Sequence, residues 1–574
     1  MARCITLLGV ITLALAGCAG TPLPPDPHTE CAGLAGPIPA ALIGTASGTA
    51  SGTASGATSD LASGAASIDS ATLVAASLAS VAERAATPAA TINPGLPQHC
   101  RVLGRIAPVD PAAPPILFQV NLPAQWNGRS LQYGGGGFNG VLVTGLGLPP
   151  AARFDQPGPL ARGYVTYGTD SGHQNAPGVP VQAFAANDEA LVNFAHASYK
   201  KVRDVAVELM KRRYGRAPEK LYFMGSSEGG REGLTMAQRY PNDFDGIFAR
   251  VPVIHWTGLQ HAYLPPGLAM MESGAWLNPA QVKLLGDAVL RQCDGLDGLA
   301  DGIVADVEGC RSRFNANELR CAPGQAGDTC LAHAQVRAVQ AHHAEYLFDF
   351  NLANGVRSYP GRPLGGEATP GSGPVGGWVS WLTGADAPAW PAVPRNSIGW
   401  VFGTGTIQHF IARDPKLDIR QYEPGRYAPR VRQISELMDS TQPDLTAFRA
   451  RGGKLIVLEH LADYAQSPYA GIEYVKSVSL RVGASNLDSF MRLYTAPGVD
   501  HVGTGAPANT DMLGVLADWV ERGVAPGTLE VVLQPTVAPF APSASLPLCR
   551  WPAWPRYRGS GAPNAAASFE CVSR

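Results

Sequence analysis

Ser227 stands in the run Gly225-Ser226-Ser227-Glu228-Gly229-Gly230, which has Gly-x-Ser-x-Gly spacing. A serine hydroxyl attacks an ester carbonyl only when a base takes its proton and nearby donors receive the developing negative charge. Glycines two residues to either side allow a turn tight enough to push such a side chain out of the fold. The hydroxyl then stands over a helix N-terminus, where free amides and the helix dipole favour an oxyanion. Small residues also cluster in ordinary turns, so the flanks must decide. Two later residues complete the chemistry: Asp463, in Glu459-His460-Leu461-Ala462-Asp463, and His501, in Pro497-Gly498-Val499-Asp500-His501. Alone, Asp463 reads equally as a helix cap and His501 as a loop histidine. In the order nucleophile, acid, base they form a triad.

The elements that must position these groups are legible around them. Lys220–Met224 is a short apolar run that reads as a buried strand, and Arg231–Tyr240 reads as a helix. Gly452–Leu458 and Arg492–Ala496 are two more strands, so Asp463 and His501 each follow a strand end, as Ser227 does. Four glycines, Gly134–Gly137, come after the apolar Leu131-Gln132-Tyr133, which suggests close approach of backbone to a ligand. The expected fold class is α/β.

At 574 residues the chain exceeds one core, so a large insertion or a second domain is expected. A formal net charge of −2 argues against nucleic acid or a polybasic membrane surface as partner. Arg3 followed by the apolar Ile5–Leu15 reads as a signal segment, residues 1–17. Leu15-Ala16-Gly17-Cys18 reads as a lipobox with Cys18 as the lipidated residue. The expectation is an exported lipoprotein at the outer membrane, held only through its lipid; a plain secreted or periplasmic protein is the alternative. Residues 41 to about 80 are rich in Ala, Ser, Gly and Thr, with Thr-Ala-Ser-Gly repeated over 45–56, and read as a flexible tether or loop.

Of ten cysteines, eight remain after Cys4 and Cys18 are set aside, an even number suited to disulfides in an exported protein. Spacing suggests Cys293–Cys310, Cys321–Cys330 and Cys549–Cys571, leaving Cys31–Cys100. Within the first pair, Asp294, Asp297 and Asp301 alternate with glycines. Close carboxylates in a flexible loop suit calcium better than magnesium; a pair of Asp-Gly turns without metal is the other reading.

Longer blocks carry a family resemblance. Gly225–Gly233, Gln238-Arg-Tyr-Pro241, Phe244-Asp-Gly-Ile247, Gly452-Gly-Lys-Leu455, Pro497–His501, Trp519–Pro526 and Arg556–Gly561 resemble the tannase/feruloyl esterase family, from about Cys100 to the C-terminus. The resemblance implies an α/β-hydrolase fold over 99–252 and 441–574, with a lid inserted at 253–440. It implies calcium in the lid, held by Asp294, Asp297 and Asp301 and by the carbonyls of Leu299 and Ile303. Gly137 and Glu228 would supply the oxyanion amides. The implied substrate is a small aromatic ester: a feruloyl or gallate ester, or mono(2-hydroxyethyl) terephthalate. Trp378, Trp381, Trp400 and Phe402 are expected as walls of an aromatic-acid pocket, and the protein is expected to be a monomer.

Three departures stand out. The family joins nucleophile and base loops by a disulfide whose positions here hold Ser226 and Val502. The arginine with which one member binds its substrate's carboxylate has only Arg395 as a neighbour, and another placement puts Ile398 there. His460-Leu461 replaces a His-Gly pair. The lost disulfide pair and the altered His-Leu-Ala-Asp turn are the only support for a second reading, a surface-anchored binding protein on an inactive hydrolase scaffold, and the intact Ser227, Asp463 and His501 argue against it.

Overall fold

The computed structural model describes residues 27–45, 61–83, 90–369 and 377–573. The signal segment, Cys18 and most of the Thr-Ala-Ser-Gly repeat lie outside the described residues.

Nine strands form one sheet: β1 (Ala66–Val74), β2 (His99–Ile106), β3 (Ile116–Pro123), β4 (Arg129–Tyr133), β5 (Val165–Thr169), β6 (Lys220–Ser226), β7 (Gly246–Arg250), β8 (Lys454–His460) and β9 (Met491–Ala496). Their order is β1-β2-β3-β5-β4-β6-β7-β8-β9. The pairs from β1 to β5 are antiparallel, and every pair from β5 to β9 is parallel. This is an α/β-hydrolase sheet with an extra edge strand. The chain crosses from β5 over β4 to β6, so a topological switch point lies between β4 and β6. In open α/β sheets, ligands settle in the crevice at the strands' carboxyl ends beside such a point.

The parallel strands read as unbroken apolar runs because both faces are covered. Successive side chains alternate between two cores. Tyr222, Met224, Phe248, Ile456 and Leu458 face one side, and Leu221, Phe223, Ile247, Leu455 and Val457 face the other. Four helices cover the sheet: α1 (Ser198–Tyr214), α2 (Glu228–Arg239), α3 (Pro468–Val482) and α4 (Met512–Arg522). Leu234 and Ala237 of α2 and Val475 and Val478 of α3 pack on the Phe223 face, while Leu513 and Leu516 of α4 pack on the Tyr222 face. Val202, Val205 and Leu209 of α1 cover the antiparallel part.

Part of the tether read from the sequence is ordered. Ala66–Val74 pairs with β2 along its length, and Cys31–Cys100 ties the preceding Pro27–Ala32 helix to the same strand. Ile68, Thr72, Leu73 and Val74 supply enough β-branched and apolar surface for an edge strand, and the disulfide reduces the entropy cost of holding it.

Between β7 and β8 the chain makes a long excursion whose apolar residues, among them Trp256, Phe348, Trp400, Phe410 and Ile434, share one core with Phe138, Phe194 and Tyr464 of the flanking segments. The Ser440 amide donates to the Ile254 carbonyl at 2.9 Å, closing the excursion at its base. Cys293–Cys310 and Cys321–Cys330 staple its interior, and Cys549–Cys571 staples the C-terminal hairpins.

Candidate active site

The turn after β6 carries Ser227 at φ 60°, ψ −122°, a conformation that costs a non-glycine residue about 1–3 kcal/mol. The surroundings enforce it. The Ser227 amide donates to the Arg250 carbonyl at 3.0 Å, and its own carbonyl accepts from Gly230, Arg231 and Val253. A Cβ at Gly225 would lie 2.1 Å from the Gly229 carbonyl oxygen, so no larger residue fits there. Helix α2 starts at once after Ser227, three residues earlier than the sequence suggested, because the whole Glu228-Gly229-Gly230 segment is its first turn.

The three residues in triad order meet. His501 Nδ1 donates to Asp463 Oδ2 at 2.7 Å, and His501 Nε2 lies 3.0 Å from Ser227 Oγ, from which it accepts. The other Asp463 oxygen accepts from the amides of Ala465 and Gln466 at 2.8 and 3.0 Å. Asp463 is therefore both a turn cap and the partner of the imidazole. The His501 turn is shaped by Asp500, whose carboxylate accepts from the Val502 and Thr504 amides. His460 donates from Nδ1 to the Asp500 carbonyl at 2.6 Å. Burial first, and the Arg250 charge second, push His460 down to about 3, so it is a neutral support.

The glycine loop after β4 lies against the Ser227 turn: a Cβ at Gly134 would be 2.7 Å from Gly229 Cα. The amides of Gly137 and Glu228 have no hydrogen-bond acceptor among the described residues, and both residues border the same cavity as Ser227. Asn139, at φ 46°, accepts the Gly136 amide and donates to Glu232. Glu232 and Tyr199 complete this support. The Glu228 side chain turns away from the cavity onto Arg231, a fully buried guanidinium that also reaches the Ala195 and Met438 carbonyls. Burial raises the Glu228 carboxyl, and the Arg231 charge opposes it.

A cavity of about 390 Å³ opens over Ser227 and His501, with Phe138, Trp256, Leu259, Tyr263, Trp381 and Phe402 among its walls. Trp381 and Phe402 are thus brought to the site. Trp378 instead packs on His342 and His343, and Trp400 is buried with its indole N–H on the Ala389 carbonyl. Arg395 is not brought to the cavity. Its side chain is 70% exposed and paired with Asp386, while Ile398 lines the wall. Several wall residues escaped the sequence reading, among them Trp256, Leu259, Tyr263 and the charged Arg250, at the end of β7. A charged residue closing the apolar run Ile247-Phe248-Ala249 at the carboxyl edge of the sheet was the available signal. Asn139, Tyr199 and Glu232 left none, because their roles depend on contacts between distant segments.

The acidic loop lies apart from the catalytic cavity, under the His501 turn. A Cβ at Gly498 would be 2.9 Å from Ile303. Asp294 Oδ1 accepts from the Asp301 and Gly302 amides, Asp297 Oδ1 from Leu299 and Asp301 Oδ1 from Ile303. Burial, and the nearby charges of Asp301 and Asp294, push the Asp297 carboxyl up to about 7. Among the described residues none of the three acids is ion-paired, and no three acidic side chains converge as a ligand set. The donor chemistry, all oxygen with uncompensated charge, fits a hard cation.

Residues 100–572 match the family model for tannase and feruloyl esterase. The chain is 37% identical to an uncharacterised esterase of Agrobacterium fabrum, over 83% of this chain and 86% of that protein. It is 32% identical to the mono(2-hydroxyethyl) terephthalate hydrolase of Piscinibacter sakaiensis, over 87% and 89%. In fold it is similar to feruloyl esterase B from Aspergillus oryzae, with a TM-score of 0.70 at 24% identity over 88% of this chain and 97% of that one.

Proposed function

Since the chain belongs to the tannase and feruloyl esterase family of carboxylic ester hydrolases, we propose that it cleaves esters of aromatic acids through an acyl-enzyme on Ser227. The observation that carries this reading is the unbroken relay from Asp463 through His501 to Ser227 Oγ, at 2.7 and 3.0 Å. His501 Nε2 takes the hydroxyl proton as Oγ attacks the ester carbonyl. Asp463 keeps the Nδ1–H tautomer in place and stabilises the imidazolium. The free amides of Gly137 and Glu228 receive the oxyanion, each contributing about 3 kcal/mol to the transition state. His501 returns the proton to the leaving alcohol, and water repeats the sequence on the acyl-enzyme.

The aromatic walls of the cavity support aromatic acids as the substrate class. A panel of methyl ferulate, methyl gallate and mono(2-hydroxyethyl) terephthalate ranks the members of that class. Ser227→Ala is the direct test: turnover of p-nitrophenyl acetate should fall a thousandfold or more with the fold retained. Turnover within tenfold of wild type, or an inert wild-type protein, sinks the reading, the latter in favour of a binding protein.

In the same reading, the acidic loop holds calcium through Asp294, Asp297 and Asp301 and the Leu299 and Ile303 carbonyls. The ion would neutralise the loop's charge and brace the turn beneath His501; it takes no part in ester cleavage. The chain is exported and lipidated at Cys18. Mass spectrometry of the membrane fraction tests that placement.

A further inference from the structure

The carboxyl ends of five neighbouring strands meet at the site in sheet order: the glycine loop after β4, Ser227 after β6, Arg250 ending β7, Asp463 after β8 and His501 after β9. Four of these have a role in the proposed reaction. Arg250 has none, yet it sits in the middle of the row and lines the cavity. Its Nε donates to Ser226 Oγ at 2.8 Å, which fixes the plane of the guanidinium. Its Nη1 lies over the Gly503 backbone, 2.8 Å from where a Cβ would be. Among the described residues neither terminal nitrogen has a hydrogen-bond acceptor or an ion pair.

Arg250 is half-buried, with its terminal nitrogens open rather than sealed, so its charge is partly desolvated without a partner. Buried and half-buried arginines are normally paired, because desolvating the charge costs several kcal/mol. Arg231, fully buried, by contrast makes five hydrogen bonds and an ion pair with Glu228. Around Arg250 the nearest acids are engaged, Asp463 with His501 and Asp500 with its own turn. Burial lowers the Arg250 pKa to about 10, which still leaves it a cation at neutral pH. The remaining wall is mainly aromatic and aliphatic, with Gln260 and Gln466 as uncharged polar members.

We propose that Arg250 is a specificity residue that pairs with a carboxylate on the substrate, so that the preferred ester carries an anionic group as well as the scissile bond. This rests on the esterase reading above and deepens it. A planar guanidinium with two free terminal donors matches a carboxylate bidentately. In an otherwise apolar cavity such a pair discriminates strongly, because a neutral ester leaves the cation unpaired. The cation comes from the core sheet next to the nucleophile, whereas Arg395 of the inserted region points to solvent.

The test compares kcat/KM for monomethyl terephthalate with methyl benzoate, and for carboxymethyl benzoate with ethyl benzoate. The pairs place the carboxylate on the acid and on the alcohol respectively. Wild type should prefer the charged member of at least one pair by tenfold or more, and Arg250→Gln should lower that ratio at least tenfold. Arg250→Lys should keep more of the preference than Arg250→Gln. A measurement on unaltered protein guards against misfolding of the variants: benzoate should inhibit p-nitrophenyl acetate hydrolysis at a tenfold lower concentration than benzamide. Equal inhibition, or a ratio unchanged by Arg250→Gln, overturns the assignment. A wild type that hydrolyses p-nitrophenyl acetate with no charge preference overturns it while leaving the esterase reading intact.

Discussion

Glu232 and Gly135 are bound across the gap between the nucleophile helix and the glycine loop, with the Glu232 Oε2 accepting the Gly135 amide at 2.9 Å. The other Glu232 oxygen accepts from Asn139 Nδ2 at 2.7 Å and from the Tyr199 hydroxyl. A fully buried carboxylate in α2 therefore fixes the loop that carries Gly137 relative to the serine at the start of the same helix. Burial raises its pKa, and the donors around it pull the other way. The glycine loop is thus preorganised from inside the protein.

Glu232→Gln tests that arrangement, since an amide can present only one acceptor oxygen and its NH2 would face the Gly135 or Asn139 donor. The kcat for p-nitrophenyl acetate should fall tenfold to a hundredfold with little change in KM, because the oxyanion exists only beyond the ground state. An unchanged kcat in a folded variant means that the loop is held some other way.

Asp439 gives a pH dependence. It sits where the inserted region returns to the core, accepting the Thr257 amide at 2.7 Å and the Ser435 hydroxyl. Burial pushes its pKa up to about 6, from 3.8. A raised folded-state pKa means that the protonated form is favoured in the fold. That contribution is full below about pH 4 and is lost as pH rises through about 6. Two units correspond to roughly 3 kcal/mol. Asp439→Asn should therefore gain thermal stability over wild type between pH 5 and 7.5, and gain nothing at pH 3.5. A difference in Tm that does not vary with pH refutes the assignment.

Calcium removal should loosen the turn beneath His501. Chelator-treated protein is expected to melt several degrees lower and to recover with added calcium, since a ligand bound only to the native state stabilises it by mass action. Asp297→Ala should reproduce the chelated state. Elemental analysis showing no calcium, with a melting curve indifferent to chelator, refutes the site.

Ser226 and Val502 flank the bonded pair Ser227 and His501 and face the same cavity. Ser226→Cys combined with Val502→Cys should form a disulfide under oxidising conditions, visible as a non-reducing mobility shift. The loop closed is long, so the chain-entropy model assigns roughly 5 kcal/mol, of which engineered bridges deliver only part. Two thiols that stay free in the oxidised, folded protein mean that these backbones are not close enough to bridge.

The parts of the site that rest on local backbone demands could be read from the chain. Gly225 and Gly229 announce a turn that nothing larger can make, and Asp463 and His501 each follow an apolar run short enough to be a strand. The α/β sheet was legible for the same reason. The inserted region was not: Trp381 and Trp400 look alike in sequence, and only packing sends one to the cavity and the other into a core. Arg395 was suggested only by its nearness to a relative's carboxylate-binding arginine, and its neighbour Asp386 already holds it. The edge strand Ala66–Val74 was hidden in a composition that elsewhere means a tether, because its partner is more than twenty residues away.

The backbone closure between Ile254 and Ser440 also bears on how the sheet is completed. Strands β7 and β8 pair directly although roughly 200 residues separate them, a costly contact for a chain to find by diffusion. Closing the excursion at its base shortens that search to two short connectors. A chain still lacking β8 leaves β7 as an open sheet edge, and Asp463 and His501, which follow β8 and β9, are not yet beside Ser227. In the esterase proposed above, the relay is therefore completed only by the last two strands of the sheet.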